Sequence, residues 1–540
     1  MNFKKIKEIS SKKTFKILFV IILVGIFMRA YNFHDWMRFE GDQSRDAAVA
    51  DNVLSGKADW PLLGPHMNHT TFKLGAIYYY FQIISAKIFG HTPESVAYPD
   101  LFFSILSIPL LFFFLKRYFS ENLSLSITGL YSLSFFAIKY SRFAWNINPI
   151  PFFVILFLLA LLEFLLNKEK TRWIWIVSLG IAIGVGYQLH AILLFLLPTT
   201  TFVVFLMIMN GKWASKSLWL KWAVVMAVFL VLNTGQIISE MKNNFNNSRT
   251  LVRLVYHQIF ETPNTMITDF EEATVCHIET NTLILTSYGD QENCDFSYAR
   301  LFSEKAGKYL KIIMKNQTET IIFILGLIFS VFGYGSIYYH FKKEKDRDKK
   351  YFLGLVLLYS GISFFILMMV GNLLRPRYFI HTVFVPLIFV GFLIMYLNKR
   401  FPNRKIWITF FIILFILITN VISIYAETKE LVEKRRSEDR YVVLGEAEAI
   451  IDYIEMKSEN KKEIYISGSP GYIWEFYNPL RYIANKKGIM LIQTEHRNDF
   501  PLNQMVFYIT PKIKDSSTIS GRPIEDLKIF GQVAVYKLGI

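Results

Sequence analysis

The densest chemistry in the chain lies in the run Phe39-Glu40-Gly41-Asp42-Gln43-Ser44-Arg45-Asp46-Ala47-Ala48. Three carboxylates, one guanidinium and one amide fall within seven residues, Glu40 to Asp46. A carboxylate so placed can take the proton of an attacking hydroxyl, which is general-base work. Asp42 is the candidate base. Glu40, Gln43, Arg45 and Asp46 are candidate substrate contacts around it. The same residues also read as a solvated loop in front of a helix over 43–54, with Asp42 as its N-cap.

Other segments could serve an anionic or sugar-bearing substrate. Arg375-Pro376-Arg377-Tyr378 offers two planar guanidiniums, which bind oxyanions through paired hydrogen bonds. The bland reading of that run is anchoring at a membrane surface by Arg and Tyr. In Tyr140–Pro149, Arg142 suits a phosphate, while Trp145 and Asn146, with Asn148, suit sugar faces and hydroxyls. A polar hairpin with an interfacial Trp is its bland counterpart. His190, beside Gln188, and Lys73 are further candidates. Glu163 lies inside an apolar stretch close to Lys168 and reads as an acid snorkelling to the surface. No Walker loop, dinucleotide fingerprint or HExxH motif occurs.

The elements that must position these residues follow from composition. Of 540 residues, 53% are hydrophobic and 19% charged, against about 25% charged in ordinary soluble domains. The apolar residues come in blocks of about 18 to 22, long enough for a bilayer core. A soluble enzyme and a disordered chain are both excluded. Eleven spans are expected, at about 15–31, 99–116, 122–139, 149–166, 173–189, 191–210, 218–237, 319–340, 351–371, 379–397 and 405–425. The stretch 75–90 reads as a shorter helix at the interface.

The net charge of +16 would raise nucleic acid as a partner in a soluble protein. No nucleic-acid module accompanies it. The basic residues cluster instead in short segments between spans: Lys4 to Lys16, Lys342 to Lys350, and Lys399 to Lys405. The positive-inside rule places such clusters in the cytoplasm. The N-terminus is then cytoplasmic. The loops 32–98 and 238–318 and everything after 430 fall outside the cell membrane. From Leu254 to Ala299 there is no Lys or Arg but eight acids, Glu292 among them. Cys276 and Cys294 lie there, in the compartment where disulfides persist, and are expected to be bonded. After about 430 the hydropathy falls. Helical spacing at 446–454 and short strands at 463–467, 489–493, 505–510 and 533–538 indicate a soluble α/β domain over 431–540, beside a membrane domain over 1–430.

The run Phe-x-Gly-Asp-Gln-x-x-Asp-Ala, then Pro61-Leu62-Leu63-Gly64-Pro65, then Leu74-Gly75-Ala76-Ile77-Tyr78-Tyr79-Tyr80, resembles the start of the family 39-type polytopic glycosyltransferases. These GT-C enzymes are relatives of the protein O-mannosyltransferases and the bacterial aminoarabinose transferases. Here Gln43 stands where the family usually has the Glu of an Asp-Glu pair. Gly75-Ala76-Ile77 replaces a Pro-Pro-Leu element, and Lys73 stands one place from that element's lysine. In layout the resemblance covers the whole chain; its motifs cover about 31 to 90.

The resemblance implies a mostly α, polytopic fold and a polyprenyl phosphate sugar donor. Asp42 would deprotonate an acceptor hydroxyl, and the sugar would transfer with inversion. Arg375, Arg377 and Tyr378 would meet the phosphate. The acceptor would be a protein, a lipid-linked glycan or a wall polymer. No particular cofactor follows from the resemblance, and a metal requirement stays open, since an external acid cluster could hold a divalent cation. The rival class is a transporter or flippase of lipid-linked glycans. It would place acids and broken helices near the bilayer midplane, whereas the polar clusters here fall at the outer surface.

Overall fold

The computed structural model describes residues 12–539 apart from 68–69, 261–265, 291, 296–316, 371–373, 434–440, 460, 470–471, 495–503, 512–516 and 532. Lys4, Lys5 and Lys7 of the N-terminal cluster lie outside the described residues, as does 296–316 of the expected loop 238–318.

The chain opens with α1 (Lys12–Ala30), a short α2 (Phe33–Trp36) and α3 (Gly41–Leu54). An antiparallel pair, β1 (Leu63–His66) with β2 (Lys73–Gly75), leads into α4 (Ile77–Phe89). There follow α5 (Pro93–Leu115), α6 (Glu121–Ser132), α7 (Phe135–Lys139), α8 (Ile150–Asn167), α9 (Trp173–Leu189) and α10 (Ala191–Met209). Next are α11 (Lys216–Leu232), α12 (Thr234–Lys242), α13 (Asn246–Phe260) and α14 (Met266–Thr286). The helical part closes with α15 (Gln317–Lys343), α16 (Arg347–Met368), a 3-10 segment over Pro376–Thr382, α17 (Phe384–Arg400) and α18 (Lys405–Val432).

Among the described residues, six helices are long and apolar enough to cross a membrane: α5, α8, α10, α15, α16 and α18. The number is up to eight if two bent pairs each make one span, α11 with α12 (63°) and Pro376–Thr382 with α17 (62°). The protein is a multi-pass membrane protein. The eleven expected spans include three that this count leaves out. The first corresponds to α1, which carries Lys12, Lys13, Lys16 and Arg29. The stretch 122–139 is broken at Leu133–Ser134, where the Ser134 side chain caps α7. The third, α9, has only 17 residues. A hydropathy window cannot distinguish a continuous helix from a broken one.

Close packing and buried polar pairs join these helices. A Cβ on Gly180 would lie 2.7 Å from Val228 Cβ, so the glycine lets α9 approach α11, as small residues do between membrane helices. Arg29 is fully buried and donates to Ser104 Oγ (2.9 Å), Gly25 O (3.1 Å) and Ser132 O (2.7 Å), tying α1 to α5 and α6. Glu163 does not reach out toward Lys168. It is buried, pairs with Arg117 and accepts from Asn167 at 3.0 Å. The stretch expected as the loop 238–318 is largely helical where it is described, and α14 buries one face among its neighbours. Cys276 and Cys294 are disulfide-bonded, with their Cα atoms 5.2 Å apart.

Beyond α18 come α19 (Leu444–Lys457), β3 (Glu463–Gly468), α20 (Tyr472–Lys486), β4 (Met490–Gln493), β5 (Val506–Thr510), β6 (Thr518–Ile519), β7 (Arg522–Phe530) and β8 (Val533–Leu538). The sheet runs β4-β3-β5-β8-β7-β6. β3 is parallel to β4 and β5, whereas β8 is antiparallel to β5 and β7. Two elements have no clear signal in the sequence: α20, where Pro479 looks like a breaker, and β7, where charged and apolar residues do not alternate and Leu527 and Ile529 are exposed.

This α/β unit docks on the segment after α1. Phe39 N donates to Val442 O (2.8 Å) and Leu444 N to Met37 O (2.9 Å), a short antiparallel bridge. Asp51 on α3 accepts from Tyr482 Oη at 2.7 Å and faces Lys486 Nζ at 2.6 Å. Asp51→Ala leaves the Tyr482 hydroxyl unmatched and Lys486 with only the His91 carbonyl, and should cost about 1–3 kcal/mol, read as a lower melting temperature of the detergent-solubilised protein. An unchanged melting curve would show that docking does not depend on this cluster.

Candidate active site

The first loop is built by a helix start. Glu40, with extended backbone, is the N-cap of α3, and Gln43 Oε1 accepts from Glu40 N at 3.0 Å. This is the reciprocal arm of a capping box. The helix therefore begins at Gly41, two residues earlier than expected, and Glu40 rather than Asp42 is the cap. Asp42 stands in the first turn, where the helix dipole favours a carboxylate. Its side chain is 53% exposed and pairs with Arg45 at 2.7 Å. Gln43 is buried and donates to Ala144 O (2.9 Å), so it clamps the loop to the segment after α7 instead of reaching solvent.

Arg45 bridges outward and inward at once. One nitrogen holds Asp42, and two others lie 2.9 and 2.7 Å from Asp46 Oδ1. Tyr79 shares a hydrogen bond with Arg45, and Gln82 Nε2 lies 3.4 Å from Asp46 Oδ2. Burial pushes the Asp46 carboxyl up; Arg45 only partly offsets it, and the value reaches about 6. Burial alone would weaken the Arg45 cation, but Asp46, Tyr79 and Asp42 outweigh it and raise its pKa. Tyr78 Oη donates to Asp100 at 2.9 Å, and Asp100 also accepts from the backbone of Trp145. Tyr78 also shares a hydrogen bond with Gln82, so a polar network runs from Asp42 inward to the Trp145 backbone.

Trp145 forms the next wall. The Arg377 guanidinium carbon stands 5.1 Å from its ring centre and that of Arg38 5.9 Å, cation–π distances. Arg38 is salt-bridged to Glu40 at 2.6 Å. Tyr378 packs against His190, ring centres 5.3 Å apart, and also lies under Arg377. Glu292 reaches Arg377 at 3.4 Å, and its carbonyl accepts from Arg375 at 3.5 Å. The structure brings Glu40, Trp145, His190, Arg375, Arg377 and Tyr378 into one connected region.

Other candidates are committed elsewhere. Arg142 does not stand free for a phosphate. Its nitrogens donate to the carbonyls of Arg29 (3.0 Å), Tyr31 (2.8 Å) and Asn32 (3.2 Å), closing the C-terminal end of α1. Asn146 donates to Leu189 O, and Gln188 to Gly184 O and Leu232 O. His190 Nδ1 accepts from Ile192 N at 3.2 Å as the cap of α10. In β2 the Lys73 main chain exchanges two hydrogen bonds with the side-chain amide of Asn247 on α13, and Lys73 makes no ion pair with Asp42 among the described residues. Arg38, Lys139, Tyr140 and Glu292 are in the region but were not anticipated. Arg38 stands two residues before Glu40. Glu292 stands two before Cys294 and is one of the eight acids of the stretch without Lys or Arg, but neither feature points to a cationic site.

Among the described residues, no group of three or more His, Cys, Asp or Glu side chains could hold a metal ion. The acids of the first loop face Arg38 and Arg45, which is the pattern of an ion-pair network and not of a cation cage.

The fold is a largely helical multi-pass membrane domain with a small β-sheet unit. The model of the dolichyl-phosphate-mannose-protein mannosyltransferase family matches residues 75–233. The structure is similar to ArnT from Cupriavidus metallidurans in the apo state, with TM-score 0.54 and 11% identity over 96% of this chain and 97% of that one. ArnT bound to undecaprenyl phosphate aligns with TM-score 0.49 and 12% identity over 97% of each chain. The Archaeoglobus fulgidus oligosaccharyltransferase in complex with zinc and sulfate aligns with TM-score 0.48 and 12% identity, over 89% of this chain and 62% of that one. Among curated proteins, none matches the sequence.

Asp46 gives this site a pH signature. Its folded value of about 6 exceeds the ordinary value of 3.8, so the folded state binds the proton more tightly. The associated stability is complete below about pH 4 and is lost as pH rises through about 6, up to about 3 kcal/mol. Relative to Asp46→Asn, the wild-type melting temperature should fall across that window. Parallel curves would remove Asp46 as its origin.

Proposed function

We propose that the chain transfers a sugar from a polyprenyl phosphate donor to an acceptor hydroxyl, with Asp42 as general base and inversion at the anomeric carbon. The observation that carries this reading is an exposed carboxylate at a helix start, joined by one polar network to a wall of Trp145, Arg377 and Tyr378. The family description for residues 75–233, which names a dolichyl phosphate mannose, supports a lipid-phosphate donor.

In the proposed step, the acceptor oxygen attacks the anomeric carbon while its proton passes to Asp42. The bond from that carbon to the phosphate oxygen breaks, and the polyprenyl phosphate leaves with the electron pair. Arg375 and Arg377 stabilise the phosphate charge as it develops. Trp145 and Tyr378 supply aromatic faces for the sugar. Arg45 orients Asp42 from one side, and Asp46 holds Arg45 from the other. No step is assigned to a divalent cation, because the acids at hand are paired with arginines.

The reading includes eleven spans, a membrane domain over 1–430 and a domain over 431–540 on the outer face with the site. One observation bears on the parity of the count. The Phe39–Val442 and Met37–Leu444 bonds put the exits of α1 and α18 side by side. An even number of crossings must then separate them. The eight helices or bent pairs meet this condition, and so do ten if 122–139 and α9 both cross. A reporter fused after Leu431 should be external; a cytoplasmic signal would overturn the orientation.

Asp42→Asn should lower sugar transfer by about 10²–10⁴-fold, the contribution of a positioned general base. Folding should persist, because an exposed ion pair adds little stability. Mass analysis of transferred glycan measures the first effect and melting the second. Undiminished transfer would remove Asp42 from the mechanism.

A further inference from the structure

One carboxylate beside the site has more cationic partners than it can satisfy. Glu292 Oε1 is 3.7 Å from Arg38 Nη1 and 3.6 Å from Lys139 Nζ. Its Oε2 is 3.4 Å from Arg377 Nη1, and its main-chain oxygen receives Arg375 at 3.5 Å. Close charge-assisted bonds of this kind normally measure about 2.7–2.9 Å. Arg38 achieves 2.6 Å with Glu40. Glu292 is therefore attracted by all of these cations and bonded tightly by none. One carboxylate is too small for the space between them.

A second observation concerns Tyr140. It is 3% exposed, and its hydroxyl has no hydrogen-bond partner. That hydroxyl interacts electrostatically with Glu292, Arg377 and Arg38. A buried donor left unmatched is destabilising, and an anion with more oxygens would satisfy it.

The carboxylate is carried on a fixed turn. Asp290 Oδ1 accepts from Glu292 N (2.7 Å) and Asn293 N (3.1 Å). Two residues on, Cys294 is bonded to Cys276, and Asp295 N donates to Glu279 at 2.9 Å. The backbone is pinned while the side chain is 39% exposed, so it can swing aside without the loop moving. Arg38 and Lys139 also border a cavity of about 170 Å³ whose other walls include Phe27, Met28, Phe135, Ile138 and Ile424. The charged groups at its edge are Arg38, Lys139 and Arg142 against one carboxylate, Glu427, so apolar walls that end in a net positive charge suit a lipid chain with an anionic head.

We propose that Arg38, Lys139, Arg375 and Arg377, with the Tyr140 hydroxyl, form a phosphate site that Glu292 occupies as an internal counter-ion, and that the phosphate of a lipid-linked ligand displaces it. The lipid-linked identity rests on the proposed function; the counter-ion exchange does not. No covalent bond changes: the carboxylate rotates to solvent and the phosphate takes its cations.

The test is binding to the full-length protein in nanodiscs, with a polyprenyl phosphate in one arm and inorganic pyrophosphate in the other. Removing a competitor that leaves the site open about one part in ten should tighten binding about tenfold. Glu292→Gln should show this gain, and Glu292→Ala, which also removes the charge, should show it too if the first variant proves unstable. Adding Arg38→Ala should abolish the gain. A gain with polyprenyl phosphate supports the whole proposal. A gain with pyrophosphate alone keeps the exchange and overturns the lipid as its ligand. Equal or weaker binding of both probes overturns the counter-ion role. Tightened binding without any sugar transfer would count against the proposed function and leave the exchange standing.

Discussion

The site depends on a main-chain contact between segments about four hundred residues apart. A loop leaving a membrane helix cannot bury its backbone without partners for its N–H and C=O groups. Here Met37 and Phe39 find them on Leu444 and Val442. Because those bonds are met, Phe39 can be buried at 1% exposure. Glu40 is then fixed at the start of α3, with its carboxylate receiving Val442 N at 3.3 Å and Arg38 at 2.6 Å. The helix start fixes Asp42. The α/β unit is thus a clamp on the loop as well as an appended domain.

Inside that frame the charges are arranged by depth. Asp42 and Arg45 face solvent, Asp46 lies beneath them, and Asp100 is deeper again. Burying carboxylates is costly, and breaking such a set is costlier than never having built it. The return is geometric. Each deeper group limits the rotamers of the one above, so the exposed Asp42 carboxylate retains a defined position without packing of its own. The same arrangement accounts for the raised pKa of Asp46, whose burial outweighs two bonds from Arg45.

What could be read from the sequence was whatever local pattern determines. The apolar blocks of α5, α8, α10, α15, α16 and α18 were legible because twenty adjacent residues carry the signal. Strands β3, β4, β5 and β8 were legible by their alternation and β-branched content. The break between α6 and α7 was not, because Ser134 acts there through a carbonyl on α14, Ile284 O at 3.2 Å. Nor was the partner of Glu163: Lys168 is near in sequence, but Arg117 is near in space. Arg142 and Arg377 looked alike as guanidiniums on one face. Their roles diverge because the bare carbonyls ending α1 lie within reach of the first and not the second. Glu292 has no local signature of its function, since every cation around it arrives from another part of the chain.

The arginines at Trp145 show why such a region needs an anion. Arg38 and Arg377 both lie over the same indole, at 5.9 and 5.1 Å. Two like charges sharing one ring repel, and the ring's quadrupole offsets only part of that repulsion. Glu40 neutralises Arg38 from one side, at 2.6 Å. Glu292 stands at 3.7 Å from Arg38 and 3.4 Å from Arg377, and is the group that touches both. Removing negative charge from that point without replacing it would leave the cations opposed. Any ligand that takes the place of Glu292 must therefore bring at least its charge, which selects for an oxyanion and against a neutral sugar at this position. Under the proposed function, sugar recognition falls to the aromatic faces and phosphate recognition to the arginines. The two parts of a lipid-phosphate sugar would then be read by chemically separate walls that share Trp145.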